Sequence, residues 1–179
     1  NIWISHPYRG TFKATVDTKS TDLLVHFPSS LKGLPSNLDN YVARCFNKII
    51  VGSEKGVFQY NSNENRFEAF RELNDLIGTG NKLRRLIQDP ANNVWYVSDQ
   101  EVAYLEFEDE GLSKNIKKNT FPLLKDNLVG GFELIYPYDR ENVFFGAEKG
   151  VIHFNPSNQY KESSLNAVIS KVYSIAKKD

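Results

Sequence analysis

The chain has 179 residues, of which 40% are hydrophobic, 13% aromatic and 25% charged, the composition of a folded domain rather than of a disordered or membrane-spanning chain. Its 22 basic residues balance 22 acidic ones, so no excess charge recommends a nucleic acid or an anionic membrane as partner. One cysteine cannot form an internal disulfide, and no apolar run approaches the roughly 18 residues that a membrane span needs.

Taken in order, the chain opens on Ile2-Trp3-Ile4-Ser5-His6-Pro7-Tyr8-Arg9-Gly10-Thr11-Phe12, which reads as an apolar strand, a tight turn and a second strand. A weaker strand is expected at 22–27 and a variable link from 28 to 40. The segment 41–46 alternates, and alternation places Cys45 beside core-facing residues as a buried structural thiol. Residues 49–61 then repeat the opening phrase, and 143–155 write it again 94 residues later with six of thirteen positions identical. Between these copies lies a degraded one at 94–105, in which Glu101 stands where the others have Gly10, Gly56 and Gly150. Those glycines mark a hairpin position that needs positive φ, so the third turn is expected to differ.

Trp3, Ile50, Trp95 and Phe144 therefore mark one recurring position, separated by 47, 45 and 49 residues. Upstream of the signature comes an apolar strand, clearest at 83–89 and 132–136, and downstream a polar one, at 66–70 and near 112–121. Asp89-Pro90-Ala91-Asn92-Asn93 and the segment 138–142 fill the turn between upstream strand and signature. Four short strands per unit of about 47 residues is the pattern of propeller blades. The expected fold is all-β, a partial β-propeller of about three and a half four-stranded antiparallel blades, with units near 1–27, 41–70, 83–121 and 132–157. The links at 71–82 and 122–131 read as irregular and should gather at the same end as the signature turns. Residues 158–179 fit no blade position and read as a linker and the first strand of a following domain. Asn1 falls inside a repeat, so a longer parent is expected, with any signal peptide or anchor outside this stretch.

The phrases Asn1-Ile2-Trp3-Ile4, Asn93-Val94-Trp95-Tyr96 and the two Gly-Ser/Ala-Glu-Lys-Gly signatures resemble the two-component regulator propeller repeat. That repeat occurs in the periplasmic sensor regions of Bacteroidetes hybrid histidine kinases and related helix-turn-helix transcriptional regulators. The sequence departs from it where Ile50 and Phe144 replace Trp and Glu101 replaces Gly, and Asp89 alone clearly keeps the aspartate before the turn. The stretch 168–175 resembles the start of the triple-tyrosine, immunoglobulin-like domain that follows such propellers. The resemblance implies signal reception: a periplasmic segment of a regulator anchored in the inner membrane, binding an oligosaccharide or a partner protein, with a second copy of the chain as a further partner. It implies no cofactor.

Nothing in the residues makes a catalytic or metal site. His6, His26 and His153 lack paired ligand spacing, and Asp109 and Glu110 are adjacent, so in extended chain they point apart. Gly78-Thr79-Gly80-Asn81-Lys82 lacks the ending and the helix of a phosphate cradle. The turn that deviates most is His6-Pro7-Tyr8-Arg9, and His6, Tyr8 and Arg9 are the expected ligand-binding residues, since Tyr and Arg dominate recognition surfaces. The competing reading of that turn is free variation at a sheet edge. The competing function is a propeller-based polysaccharide lyase or glycosidase, for which the upstream strands offer Arg84, Gln88 and Glu133 but no convergent acid pair.

Overall fold

A computed structural model describes residues 1–17, 19–20, 22–26, 32–78, 80–107 and 116–158. The described residues are all-β apart from two short helices, with four antiparallel sheets formed in chain order. The first sheet holds β1 (Ile2–His6), β2 (Gly10–Val16) and β3 (Leu23–His26). The second holds β4 (Tyr41–Cys45), β5 (Lys48–Ser53), β6 (Gly56–Asn61) and β7 (Arg66–Ala69). The helix α1 (Arg71–Ile77) leads to the third sheet, β8 (Leu83–Gln88), β9 (Val94–Ser98), β10 (Val102–Phe107) and β11 (Ile116–Thr120). The helix α2 (Pro122–Lys125) leads to the fourth, β12 (Ile135–Pro137), β13 (Val143–Ala147) and β14 (Gly150–Phe154). Each sheet is a simple meander, with strands that follow one another in the chain lying side by side.

The recurring apolar position explains how the sheets stack. Trp3 packs forward onto Tyr60 and Phe67 of the second sheet, with ring centroids at 4.6 and 5.8 Å. Ile50 lies in the cluster shared with Leu83, Leu86 and Tyr96 of the third sheet. Trp95 meets Phe145 and Phe154 of the fourth at 5.8 and 6.2 Å. The core is thus three clusters, one between each successive pair of sheets. Phe144, the fourth occupant, stacks on His153 of its own sheet at 5.0 Å, on the side away from the third sheet. Strand alternation makes this possible, since neighbours such as Ile50 and Val51 serve opposite faces.

The turns follow their residues. Gly10, Gly56 and Gly150 have φ of 90°, 110° and 129°, as the hairpins require. The third signature turn closes without positive φ at Glu101; Ser98 Oγ accepts from Glu101 N at 3.1 Å and from Gln100 N at 3.2 Å instead. Links and signature turns share one end: Asp39 N donates to Pro7 O at 2.7 Å, Asp99 N to Lys82 O at 3.0 Å and Glu148 N to Asn127 O at 3.1 Å.

Three expectations are corrected. The links at 71–82 and 122–131 contain helices. Leu73 and Ile77 of α1, one turn apart, enter the core between the second and third sheets, and α2 starts on proline, whose fixed φ suits a first helical position. The last upstream strand begins at Ile135 and not at 132, because Glu133 leaves the strand: its carbonyl accepts from Arg85 Nε at 2.6 Å and its carboxylate from Gly131 N at 2.9 Å. Asp89 is also not alone before the turn. Asp89 Oδ1 accepts from Ala91 N and Asn93 N, and Asp139 Oδ1 does the same for Glu141 N and Asn142 N. The expected following strand at 168–175 lies outside the described residues.

Candidate functional site

The deviating turn joins β1 to β2 and is one residue longer than its counterparts. His6 ends β1, Arg9 N donates to His6 O at 3.1 Å, and Tyr8 N donates to His6 Nδ1 at 3.2 Å. The rings of His6 and Tyr8 lie 6.1 Å apart at 60°. Tyr8 is 77% exposed, and the His6 and Arg9 side chains are exposed as well. The structure therefore brings His6, Tyr8 and Arg9 onto one projecting tip. Exposed in this way, the turn presents a ring, a phenol and a guanidinium to solvent.

A second group sits deeper, where the upstream strands of the third and fourth sheets meet the links. Arg84 Nε donates to Asp99 Oδ1, and Arg84 Nη1 donates to Glu133 Oε1 at 3.1 Å. The two contacts hold the Arg84 guanidinium above its ordinary value, the Asp99 hydrogen bond more strongly than that of Glu133. Next to it, Arg85 stacks over the ring of Tyr41 at 5.3 Å while its Nε reaches the Glu133 carbonyl. Burial, with Glu133 nearby, pushes the Tyr41 hydroxyl up. Gln88, the third polar residue of these strands, takes no part; its Oε1 accepts from Phe46 N at 2.7 Å at the opposite end.

The repeat contained a signal for this group. Arg84 and Glu133 are 49 residues apart, the same spacing as Trp95 and Phe144, so they hold equivalent places in successive units. Asp99 has no such signal, because among the described residues the side chains of its equivalents Glu54 and Glu148 form no ion pair. Among the described residues, no group of three His, Cys, Asp or Glu side chains could hold a metal ion.

A cleft of about 500 Å³ lies between the third and fourth sheets toward the other end, walled by Tyr104, Lys117, Asn119, Phe121 and Arg140 among others. It adjoins β14, which pairs on one edge with β13 and, among the described residues, with no strand on the other. β6 and β10 each carry an outer strand at the corresponding edge. The cleft thus occupies the place of an outer strand and gives no independent sign of a ligand.

Successive three- and four-stranded meanders stacked through forward-pointing aromatics define a propeller-like, all-β class of repeat protein. No protein-family model matches the chain, and no curated protein matches it. Among solved structures it is similar to the crystal structure of an extracellular domain from B. thetaiotaomicron, described as belonging to a hybrid two component system. The likeness has a TM-score of 0.53 at 17% identity and covers 87% of this chain. The chain spans 19% of that domain's length, and the likeness is one of fold. No helix among the described residues is long and apolar enough to cross a membrane.

Proposed function

We propose that the chain is part of the sensing region of a bacterial signal-transduction regulator, a partial β-propeller that receives a ligand or a partner protein and has no catalytic activity of its own. The observation that carries this reading is the likeness of fold, over 87% of the chain, to the extracellular domain of a hybrid two component system. The sequence resemblance to the two-component regulator propeller repeat supports the same assignment independently of that superposition. On this reading the segment lies in the periplasm, its parent is anchored in the inner membrane, and the output is a histidine kinase or a DNA-binding module. The tip formed by His6, Tyr8 and Arg9 is the contact surface, offering two rings and a guanidinium that no other part of the protein occupies among the described residues.

The test is a binding screen of the complete extracellular region against oligosaccharides and against candidate partner proteins. Binding that is lost when Tyr8 and Arg9 are both replaced by alanine supports the reading. Failure with every soluble ligand transfers the role to a partner protein. Turnover of a polysaccharide by the purified region would overturn it in favour of an enzyme.

A further inference from the structure

The stack of sheets has two ends, and each shows the kind of face that the repeat buries elsewhere. Within the stack the forward side of one sheet packs on the back side of the next: Trp95, Val102 and Tyr104 of the third sheet share a cluster with Val143, Phe145 and Phe154 of the fourth. In the fourth sheet Phe144, Val151 and His153 hold the places of Trp95, Val102 and Tyr104, with the same register between their strands. Together with Tyr136, which pairs with Phe144, they make a forward side that no sheet of the described residues covers; Tyr136 is 57% exposed and Val151 74%. At the other end of the stack Ile2 and Ile4 hold the places of Val143 and Phe145. Their back side of the first sheet, shared with Val16, Leu23 and Val25, is open as well, and Ile2 is 52% exposed and Ile4 50%. Alternation and register place no Lys, Arg, Asp or Glu on either side within these strands. Terminal units of stacked repeats that end in water carry a polar outer face, and contiguous apolar surface marks a site of interaction.

We propose that two copies of this chain associate head to tail, the forward side of the fourth sheet in each copy packing on the back side of the first sheet in the other. The pairing repeats the contact made between successive sheets of the stack, so each surface meets the kind of surface that its equivalents meet. What Phe144 and Val151 lack is a back side of this repeat, and Ile2 and Ile4 supply one. The contact joins unlike surfaces, and such heterologous contacts close into a ring or run on as a filament according to the rotation between copies. Two copies bring eight sheets, within the roughly four to eight blades of closed propellers, so a two-fold ring satisfies both ends at once. An isologous dimer, pairing like with like, would leave one of the two apolar sides in water. The inference stands on the packing of the repeat and not on the sensor reading.

Sedimentation equilibrium of the full chain at micromolar concentrations tests it, and the expected species is a dimer that does not grow further. Ile4→Asp and Val151→Lys each put a charge on one of the two sides. Either variant alone should be monomeric, its dissociation constant raised about a hundredfold or more, because an unpaired charge is buried at both contacts. Mixed in equal amounts the two variants should dimerise again, since one contact is then unaltered and the other sets Asp against Lys. Isologous pairing would instead leave one variant dimeric by itself. Both side chains are at least half-exposed, so the fold should be kept; where circular dichroism shows a loss, Ile2→Asp and Tyr136→Lys on the same sides take their place. A chain that stays monomeric, an assembly that grows past two copies, a variant that still dimerises alone, or a mixture that does not recover would each overturn the proposal. None of these outcomes bears on the sensor reading, which its own screen decides.

Discussion

Asn74 of α1 holds Val57 of β6 by both backbone groups: its Oδ1 accepts from Val57 N at 2.8 Å and its Nδ2 donates to Val57 O at 2.8 Å. A link helix thereby finishes the edge of a strand beyond the reach of β7, and it does so in the core, where Asn74 is 7% exposed. Val57 O also accepts from Phe70 N at 2.9 Å, so Val57 N is the group with no second partner. Asn74→Ala leaves that buried N–H bare and should lower unfolding free energy by about 2 kcal/mol, read as a shift in urea midpoint at constant slope. A midpoint within error of the parent would show that water takes over the bond.

Gly52 is the other half of the signature's glycine pair, and its role differs from that of Gly56. A Cβ there would meet Leu83 Cδ2 at 2.7 Å, Cγ at 3.2 Å and Cβ at 3.3 Å, so the second sheet approaches the third over a bare Cα. Gly52→Ala should cost about 1–3 kcal/mol through overpacking. In a double-mutant cycle with Leu83→Ala the two losses should fall short of their sum, because shortening Leu83 frees the space. Additive losses would mean that the contact is not the cause.

Sequence reading reached the parts of the molecule in which local chemistry and repetition agree. Glycine at the hairpin turns, the apolar runs of β5 and β9, and the fourfold recurrence from Trp3 to Phe144 all point the same way, so the sheets and their order were legible. The helices in the links were not, because Arg71 to Ile77 is too short for a period to stand out; tertiary packing of Leu73 and Ile77, rather than propensity, holds it. Asp139 was obscured by a turn one residue shorter than that of Asp89. The cluster around Arg84 needed three segments to converge, and Asp99 belongs to a turn whose counterparts are solvated. The tip at His6, Tyr8 and Arg9 was found as a deviation, and its exposure could be learned only from the coordinates.

That exposure makes a prediction of its own. Tyr8 and Arg9 side chains bond to no described residue, so Tyr8→Ala and Arg9→Ala should change stability by no more than about 0.5 kcal/mol. His6 is different, since its Nδ1 accepts the Tyr8 amide and fixes the turn. Melting curves of the three alanine variants separate the two cases: any loss of binding in the first two is then a loss of contact and not of fold.

Stability should fall with rising pH at the alkaline end. Burial pushes the Cys45 thiol up from 9.0 to about 12, and burial, reinforced for Tyr96 by its hydrogen bond to Glu101, raises the hydroxyls of Tyr96 and Tyr104. All three groups are neutral when folded. Over the range in which the unfolded chain releases their protons, the folded protein keeps them, so the unfolded state binds fewer protons and the slope of unfolding free energy against pH is negative. For Cys45 the contribution is fully present below about 9 and is lost as pH rises toward about 12. Urea midpoints measured at intervals across that window should decline, and less steeply in Cys45→Ala, which lacks one of the groups. The same burial should protect the thiol from alkylation in the native state while urea exposes it fully. Equal slopes with and without Cys45, or ready native labelling, would place the thiol in contact with solvent and would require the seam it shares with Phe46 and Leu86 to open.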